Sequence, residues 1–539
     1  MFKYTILLNA LFCSFIFAQT YEWVNLVSPD YPYNPSYLHA PSAIDNSGNP
    51  ICARLVNFRQ NYGSTVYGDI KLEKRNSSGL LMWENTISGK ADVSKLVIDT
   101  ENNVICIGTF KDTIAIDNAR LVHSGSGVGN FILKLNNAGN LLWLKDATEF
   151  AADIYELSAL SNGYSNDFLI GLSRWGYDTK ILRLNPDGAI LSAIEQTGVS
   201  LVSDIDQDSF GNIWVTGFSF QNSASFNGLD TIVPFTYTEY VVKYNTAGIA
   251  QWVNFIQDIT VQDWQIETDN SGYAYLCGNL LDSTSFGSLF ANGPQWVYDF
   301  FVTKIDPDGN YLWLNEIPQG NNLGDATIGN SNFLSCSDDG NICLTGFFRG
   351  EINFGNGVIL YPIDYYDLFV LSYNQDGEIQ WAKAAGSNGY DVGCGIVTDN
   401  NGSCYVSGVV SQNAVFDTIS LTGGDINLFI ARLIYDDPVS ADDNLVSDVL
   451  PAIEYPLGQN YPNPFNPVTS IQYAIGSQQF VSLKVYDILG NEVATLVNEE
   501  KPAGKYKVSF DASSLSSGTY FFRIKTGSFI ETRKMVLLR

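Results

Sequence analysis

The sequence predicts an all-β protein with two parts, a long array of repeated four-stranded sheets and a small separate β-domain. Two observations carry this prediction. A glycine turn followed by a tryptophan recurs along the first 436 residues, and the last eighty residues contain short segments of alternating apolar and polar side chains. Aromatic residues make up 13% of the chain and charged residues only 16%, a composition that excludes a disordered protein.

The first eighteen residues have the pattern of a secretory signal peptide. A lone Lys3 precedes an apolar run over residues 4–17, and the small residue Ala18 then stands before Gln19. We expect cleavage between Ala18 and Gln19. The apolar run is too short to span a bilayer, and no later stretch approaches ~20 apolar residues, so no transmembrane segment is expected.

The array is defined by a motif in which tryptophan follows glycine by four residues. The complete copies are Gly79–Trp83, Gly139–Trp143, Gly248–Trp252, Gly309–Trp313 and Gly377–Trp381. A further copy at residues 188–192 lacks the tryptophan. The turns have the Asn/Asp and Gly chemistry of hairpins, and a second hairpin, such as residues 97–108, occurs once per period. Each period of roughly 60 residues therefore supplies four strands, the content of one β-propeller blade.

Hairpin pairs indicate seven such blades within residues 19–436. The seventh, about residues 390–436, has no glycine–tryptophan strand after it, whereas a strand around Trp23 has no partner nearby in sequence. We therefore predict a seven-bladed β-propeller in which the Trp23 strand becomes the outermost strand of blade 7. Closing the ring in this way protects sheet edges that would otherwise promote aggregation.

The repeats resemble the SBBP-type β-propeller repeat over about residues 40–436. The likeness rests on three elements, an Asp-x-x-Gly-Asn turn, a Thr-Gly-x-Phe strand end and a Phe-Val-x-Lys strand, the last of which is seen at residues 301–304. Each single copy is a moderate match, and the repetition makes the resemblance strong.

In this topology the longer loops gather on one face, which is where we predict the ligand site. Aromatic and acidic residues of these loops are Tyr237, Glu239, Trp296, Tyr298, Asp299, Tyr365, Tyr366 and Asp367. Rings that stack on sugars and carboxylates that accept hydroxyl hydrogen bonds suit glycan recognition. The alternative is structural, with the rings filling gaps between blades and the aspartates capping turns.

The motifs of common enzymes are missing. The two histidines, His39 and His123, are far apart in sequence and lack metal-ligand spacing, and the chain has no nucleophile elbow, phosphate loop or dinucleotide fingerprint. Residues 204–208 resemble the start of a calcium loop but lack its glycine and its final glutamate. We therefore predict no catalytic, cofactor-binding or metal-binding residues, although paired carboxylates of a glycosidase could be hidden among so many acids.

Cysteine chemistry gives one expectation. Cys13 is removed with the signal peptide, which leaves seven cysteines, most of them in apolar strands. Cys336 and Cys343 flank a short turn, and we expect them to stand opposite each other, where a cross-strand disulfide could form.

The charge distribution separates the two parts. The whole chain carries a formal net charge of −28 at pH 7, whereas residues 457–539 contain nine Lys and Arg against six Asp and Glu. An acidic array repels nucleic acid and anionic lipid, so neither is an expected partner. Solubility outside the cell explains the acidity most simply, and cation binding is the alternative. We expect a monomer.

The C-terminal region begins after a linker at residues 437–460, which is rich in proline and aspartate. Short alternating strands are predicted at 481–485, 492–497, 505–510, 520–525 and 530–538. Their spacing and turn signals predict a small immunoglobulin-like β-sandwich over residues 461–539.

Over about residues 457–539 the chain closely resembles the type A C-terminal sorting domain of proteins exported by the type IX secretion system of certain Gram-negative bacteria. The residues that carry the resemblance are Tyr461, Pro462, Asn463, Pro464, Phe465, Gly490, Gly518, Tyr520 and Lys534. The resemblance implies that the domain binds the secretion machinery and that the protein is secreted or anchored at the outer cell surface after Sec export. It also implies removal of the domain by cleavage, which we expect in the linker.

Together these features favour a non-enzymatic exported propeller that binds glycan or another extracellular ligand. A secreted polysaccharide hydrolase or lyase that uses carboxylates of the central channel is the second interpretation. A structural component of the cell envelope is the third. The sequence does not identify the ligand.

Overall fold

The computed structural model describes residues 18–27, 38–436 and 460–538, apart from short internal gaps. The gaps are 63–64, 126, 152–155, 164–165, 175–177, 236, 258–263, 281, 294–298, 318–323, 357, 400–401, 461–462, 464, 476–478, 489–490, 502–503, 514 and 527–528. Two compact units are present, residues 1–439 and 440–539. Both are all-β in the described residues, where the one helical segment is a 3₁₀ turn at Ala147–Glu149.

The N-terminal unit consists of antiparallel strands that fall into seven groups, each with four main strands. Strand β1 (Ala18–Val27) comes first in the chain. Group 1 contains β2 (Ser42–Ile44), β3 (Pro50–Tyr62), β4 (Thr65–Arg75) and the first half of β5 (Leu81–Ile98). Group 2 contains the second half of β5, β6 (Val104–Ile116) with its side strand β7 (Ala119–Val122), β8 (Gly129–Leu135) and β9 (Leu141–Asp146).

Groups 3 to 5 repeat this order. Group 3 contains β10 (Glu156–Asn162), β11 (Phe168–Ser173), β12 (Asp178–Leu184) and β13 (Ile190–Thr197). Group 4 contains β14 (Leu201–Gln207), β15 (Ile213–Ser219), the side hairpin β16 (Ser223–Phe226) and β17 (Asp230–Ile232), β18 (Thr238–Tyr244) and β19 (Ala250–Ile256). Group 5 contains β20 (Gln265–Thr268), β21 (Ala274–Leu280), the side hairpin β22 (Thr284–Phe286) and β23 (Leu289–Ala291), β24 (Asp299–Ile305) and β25 (Tyr311–Glu316).

The last two groups follow the same plan. Group 6 contains β26 (Asp325–Ile328) and β27 (Leu334–Cys336), which both pair with β28 (Ile342–Arg349), the side hairpin β29 (Ile352–Asn353) and β30 (Ile359–Leu360), β31 (Asp367–Tyr373) and β32 (Ile379–Ala385). Group 7 contains β33 (Val392–Thr398), β34 (Cys404–Ser411), the side hairpin β35 (Val415–Phe416) and β36 (Ile419–Ser420) and β37 (Ile426–Asp436).

The fourth main strand of group 7 comes from the other end of the unit. Strand β1 pairs antiparallel with β37 from Ala18–Asp436 to Val27–Leu428, so the sheet order is β1-β37-β34-β33. The predicted pairing of the Trp23 strand with the seventh repeat is confirmed. Residues more than 400 positions apart are thereby joined in one sheet.

The first strands of the groups contact one another in succession. Strand β2 contacts β5, the series continues through β10, β14, β20 and β27 to β33, and β33 contacts β2 again. These strands all contribute to the lining of one cavity of about 250 Å³. Apolar clusters fill the spaces between neighbouring sheets, for example between groups 6 and 7.

The recurring tryptophan joins each group to the turn of a neighbouring group. The indole nitrogen of Trp83 donates to the carbonyl of Asn137 at 2.9 Å, and a Cβ on Gly139 would approach the Trp83 ring to 2.6 Å. Trp252 and Trp313 make the same contact with the turns at residues 307–309 and 375–377. Glycine is required in these turns for its positive φ and because the ring occupies the space of a side chain.

The Trp23 contact belongs to the same series. Its indole nitrogen donates to the carbonyl of Ser77 at 2.9 Å, and the ring lies against Gly79. Trp23 therefore connects group 7 to group 1 by the interaction that connects the other groups. In group 3, which lacks the tryptophan, Ile194 packs against Gly248 instead.

Buried ion pairs hold the third strand of several groups to the first hairpin. Lys74 lies 2.6 Å from Asp45, and Lys134 lies 2.9 Å from Asp99, with all four side chains almost fully buried. The same aspartates accept hydrogen bonds from the backbone of their own turns, as Asp45 does from Ser47 and Asn49. The Asp-x-x-Gly-Asn turn and the lysine of the third strand are therefore one structural unit.

The C-terminal unit contains two antiparallel sheets around one core. Strands β38 (Val468–Ile475) and β41 (Gly504–Asp511) form the first sheet. The second has the order β40 (Glu492–Lys501), β39 (Gln479–Tyr486), β42 (Gly518–Thr526) and β43 (Phe529–Leu537). The five predicted strands are confirmed, and β38 was missed. Inward-facing residues such as Leu483, Phe522 and Met535 build the core.

The expected position of Cys336 opposite Cys343 is wrong. The register pairs Cys336 with Ile342 and Cys343 with Ser335, and both thiols are free. Successive residues of a strand point to opposite faces, so this one-residue offset separates the two side chains. The sequence suggested a shorter turn than the five-residue turn that Ser337 and Asn341 close.

Candidate ligand-binding face and central cavity

An exposed cluster of tyrosines lies where the loops before β31 and β33 meet. The rings of Tyr365 and Tyr366 are 4.8 Å apart, and Tyr390 lies 5.2 Å from Tyr365 and 5.1 Å from Tyr366. Tyr365 is 50% exposed, whereas Tyr366 is buried beneath it. We name Tyr365, Tyr366 and Tyr390 the tyrosine cluster. The sequence predicted two of its members, and Tyr390 was missed because it comes from the next repeat.

The guanidinium group of Arg349 packs against the ring of Tyr366 in this cluster. Arg349 lies 5.6 Å from the ring centre of Tyr366 and forms a two-pronged ion pair with Asp325, whose shortest distance is 2.8 Å. This pairing fixes a cation against an aromatic face, and it raises the pKa of Arg349 through the hydrogen bond to Asp325. A tyrosine platform of this kind can stack on a planar or pyranose ligand.

Of the other predicted aromatic residues, the structure describes Tyr237. Tyr237 is 48% exposed and stacks on Phe218 at 6.3 Å in group 4. Trp296 and Tyr298 lie outside the described residues. Among the described residues, the predicted aromatics therefore occupy two positions, Tyr237 in group 4 and the tyrosine cluster.

The three predicted carboxylates are buried, so none of them offers an appreciable exposed surface to a ligand in this structure. Glu239 and Asp367 have no exposed surface and Asp299 is 2% exposed. Asp299 accepts hydrogen bonds from the backbone of Phe300 and Ile317, and Asp367 accepts one from Ile363. Asp299 and Asp367 are the first residues of their strands and hold the preceding or following loop in place. The structural alternative therefore describes both of these aspartates.

Burial changes the protonation of these groups. Loss of hydration raises the pKa of Asp299 to about 8 and that of Asp367 to about 7. Asp391, which accepts hydrogen bonds from Ser387 and Ser411, has its pKa raised by burial to about 6. Three buried carboxyl groups beneath the loops, those of Asp299, Asp367 and Asp391, therefore have pKa values raised towards neutral pH.

A second candidate site is the cavity lined by the first strands. Lys95 lies 3.0 Å from Asp204, and the nearby Asp206 accepts hydrogen bonds from Thr268 and Ser161. Glu267 also lines the cavity. Burial raises the pKa of Asp206 to about 6, and burial together with Asp206 and Asp204 raises that of Glu267 well above its ordinary value.

From the sequence, Asp204 and Asp206 were noticed only because residues 204–208 partly resemble a calcium loop, and Glu267 was not singled out. Their alternation in strands β14 and β20 was the available signal, because residues 204 and 206 point to the same side of a strand. The part of the chain that the structure describes contains no group of three or more His, Cys, Asp or Glu arranged to hold a metal. The cavity is thus a polar pocket with one lysine and three carboxyl groups.

The sorting motif contributes to the core of the C-terminal unit. Phe465 is 2% exposed, and its backbone bonds with Val536 and Leu538 beside the last strand, β43. Asn463 accepts a hydrogen bond from the backbone of Val536 at 2.8 Å. Tyr520 is buried and donates to Ser516, Gly518 begins β42, and Lys534 lies in β43. The other motif residues, Tyr461, Pro462, Pro464 and Gly490, lie outside the described residues.

Comparison with known families identifies the C-terminal unit. Residues 459–538 match the family described as the secretion system C-terminal sorting domain. The sorting domain implies interaction with the type IX secretion machinery, export, and a final location that is secreted or at the outer surface of the cell. Within the described residues, the structure has no helix with the length and apolarity needed to cross a membrane.

More distant similarities extend beyond the C-terminal unit. A curated relative, an uncharacterised WD repeat-containing protein of Acanthamoeba polyphaga mimivirus, is 22% identical over 376 residues, which are 63% of this chain and 26% of the relative. The chain therefore spans about a quarter of that relative's length.

Two solved structures are similar at low scores. Quinohemoprotein alcohol dehydrogenase from Comamonas testosteroni aligns with 80% of this chain and 79% of its own, at 10% identity and a TM-score of 0.35. PorZ, a surface component of the type IX secretion system of Porphyromonas gingivalis, aligns with 93% of this chain and 70% of its own, at 10% identity and a TM-score of 0.25. Scores this low support no functional argument.

Proposed function

We propose that the N-terminal unit is a seven-bladed β-propeller of SBBP-type repeats, closed by β1, and that the C-terminal unit is an immunoglobulin-like sorting domain. The succession of contacts between first strands, from β2 around to β33 and back to β2, supports the ring. The pairing of β1 with β37 and the contact of Trp23 with the turn of group 1 support its closure.

We propose that this propeller is cargo of the type IX secretion system and acts as a non-catalytic module that binds an extracellular glycan. The tyrosine cluster is the observation that carries this proposal, because an exposed ring over a rigid aromatic and guanidinium base suits stacking on a sugar. The ligand would rest on Tyr365, with Tyr390 at its edge.

Substitution of the exposed ring tests this proposal. Tyr365→Ala should weaken binding of the recognised glycan about five- to thirtyfold, since the lost stacking is worth on the order of 1–2 kcal/mol. Phe210→Ala is the matched control, because Phe210 is 64% exposed in a first-hairpin turn on the opposite face. Equal affinities of the wild type and Tyr365→Ala would refute the site.

A second candidate function is hydrolysis or elimination on a polysaccharide in the central cavity. It is favoured by Asp206 and Glu267, two cavity carboxyl groups whose pKa values are raised, since a carboxylic acid that stays protonated near neutral pH can serve as a general acid. Glu267→Gln should abolish release of reducing ends if this function is real. Release that survives in Glu267→Gln would exclude this role for the cavity.

We propose that cleavage in the linker, residues 437–460, releases the sorting domain after translocation. Support comes from the composition of the linker and from the family match of the following residues. Mass spectrometry of the exported protein should find a C-terminus within the linker. A chain that retains residues 461–539 would refute this processing.

A further inference from the structure

Two buried cysteines from adjacent sheets have their sulfur atoms in direct contact. The Sγ atoms of Cys343 in β28 and Cys404 in β34 are 3.1 Å apart, although the residues are 61 positions apart in the chain. Cys343 is 5% exposed and Cys404 is 1% exposed. No other pair of the seven cysteines in the described residues has such a contact between sulfur atoms.

The surroundings make this contact a fixed feature of the fold. Both thiols belong to the apolar cluster between groups 6 and 7, together with Tyr21 of β1 and Trp381 of β32. Cys404 also lies at the start of its strand, opposite Leu433 of β37. The sulfur atoms are thus held beside the sheet that β1 completes.

We propose that Cys343 and Cys404 form a disulfide in the exported protein and that this bond links groups 6 and 7. A bonded sulfur pair is about 2.05 Å apart, so small side-chain rotations must close a gap of about 1 Å. The sorting domain directs the protein out of the cytoplasm. Disulfides form and persist in the oxidising compartments outside the cytoplasm. The remaining five thiols stay reduced.

The reaction is a two-electron oxidation by a thiol–disulfide oxidoreductase of the periplasm. One cysteine thiolate attacks the disulfide of that enzyme, and the second cysteine displaces the enzyme from the resulting mixed disulfide. The two cysteines lose two protons and two electrons, and the enzyme's disulfide becomes a dithiol. The contact with Cys343 and burial raise the pKa of Cys404 well above its ordinary value, so the reaction must precede complete folding.

Thiol counting on the exported protein tests the proposal without any variant, since all seven cysteines precede the linker. Alkylation of the denatured, unreduced protein should label five cysteines, and reduction should raise the number to seven. Peptide mapping should recover a crosslinked pair that contains residues 343 and 404. Seven labelled cysteines before reduction, or a crosslink between other residues, would overturn the proposal.

Melting temperatures give an independent test. Reduction of the wild type should lower the Tm by about 5 °C, because the bond closes a long loop. Cys343→Ala and Cys404→Ala should each remove this response, and the double variant should be no less stable than the weaker single variant. Cys106→Ala is the control, since Cys106 is buried among aliphatic residues of another cluster and should leave the response intact. A response to reductant that persists in Cys343→Ala would also contradict the bond.

Discussion

The tryptophan that recurs in the sequence acts at the joints between repeats. Four of the recurring indoles donate a hydrogen bond to a turn carbonyl and cover the glycine of that turn, as Trp83 does with Asn137 and Gly139. One residue type thus supplies apolar area and a directed bond at the same place. The spacing of four residues between glycine and tryptophan is needed because both must lie near the end of the outer strand.

Two glycines allow this contact to be measured. Gly139 and Gly48 both have positive φ, 81° and 75°, but a Cβ at Gly48 meets no atom within 4 Å. Gly48→Ala should cost about 1–2 kcal/mol from backbone strain alone. Gly139→Ala should cost a further 1–3 kcal/mol or so, because its Cβ displaces the Trp83 ring. Denaturant unfolding of the two variants measures the difference, and equal losses would contradict the role given to tryptophan.

Buried aspartates make stability depend on pH in a defined direction. Burial raises the pKa of Asp299 from 3.8 to about 8, so its protonated form is favoured in the folded state. The resulting contribution to stability is complete below pH 3.8 and is lost as the pH rises through about 8.

Asp299→Asn should remove this loss, so the variant gains stability relative to the wild type as the pH rises from about 4 to about 8. Denaturant unfolding across that range is the measurement. Asp306→Asn is the control, since hydrogen bonds lower the pKa of Asp306 and its effect should be confined to acid. A parallel pH profile for Asp299→Asn and the wild type would contradict the assignment.

At the level of elements, strand β1 is the most informative. It pairs with β37 along its full length, and Trp23 also contacts Ser77 of group 1. Removal of the strand would leave β37 with an open edge and would expose the apolar cluster that contains Tyr21. A single short segment therefore links the ends of the whole array.

Deletion of residues 19–27 should lower the Tm of the N-terminal unit by about 10 °C. The deletion removes both the strand that covers the edge of β37 and the contact of Trp23 with group 1. Calorimetry of the purified chain is the measurement. Glu22→Ala is the control, since it removes only the partly exposed ion pair with Arg432 and should change stability by less than about 1 kcal/mol. An unchanged transition after the deletion would refute closure by β1.

Elements were predicted well where local signals were strong. The hairpin predicted at residues 97–108 joins β5 to β6, and the strand predicted at 301–304 lies within β24, because alternation and hairpin turns are local properties. The continuous strand β5, which serves groups 1 and 2, and the side hairpins such as β16–β17 were not foreseen. Both depend on contacts between repeats, for example the pairing of β13 with β16.

The candidate site was predicted only in part for the same reason. Tyr365 and Tyr366 were found as exposed-looking aromatics, but Tyr390 joins them from a loop 24 residues later. In the sequence, Asp299 and Asp367 look like ligand-binding acids. An aspartate next to a loop looks the same in the sequence whether its side chain is exposed to a ligand or buried against the loop backbone. Burial is a property of the assembled sheets, so it could not be read from the turn composition.

At the level of the whole molecule, the destination and the activity reside in different units. The C-terminal unit matches a sorting family and carries more basic than acidic residues, whereas the rest of the chain provides the strong net negative charge. An acidic array stays soluble outside the cell and avoids anionic surfaces. The tyrosine cluster, rather than charge, is therefore the feature that would select a ligand.

A glycan array probed with the exported protein, followed by a reducing-end assay on every glycan bound, tests the central claim most directly. We predict binding to a defined set of glycans, loss of that binding in Tyr365→Ala, and no release of reducing ends. Binding to none of the glycans, or binding that is accompanied by cleavage, would contradict the account of this protein as an exported glycan-binding module.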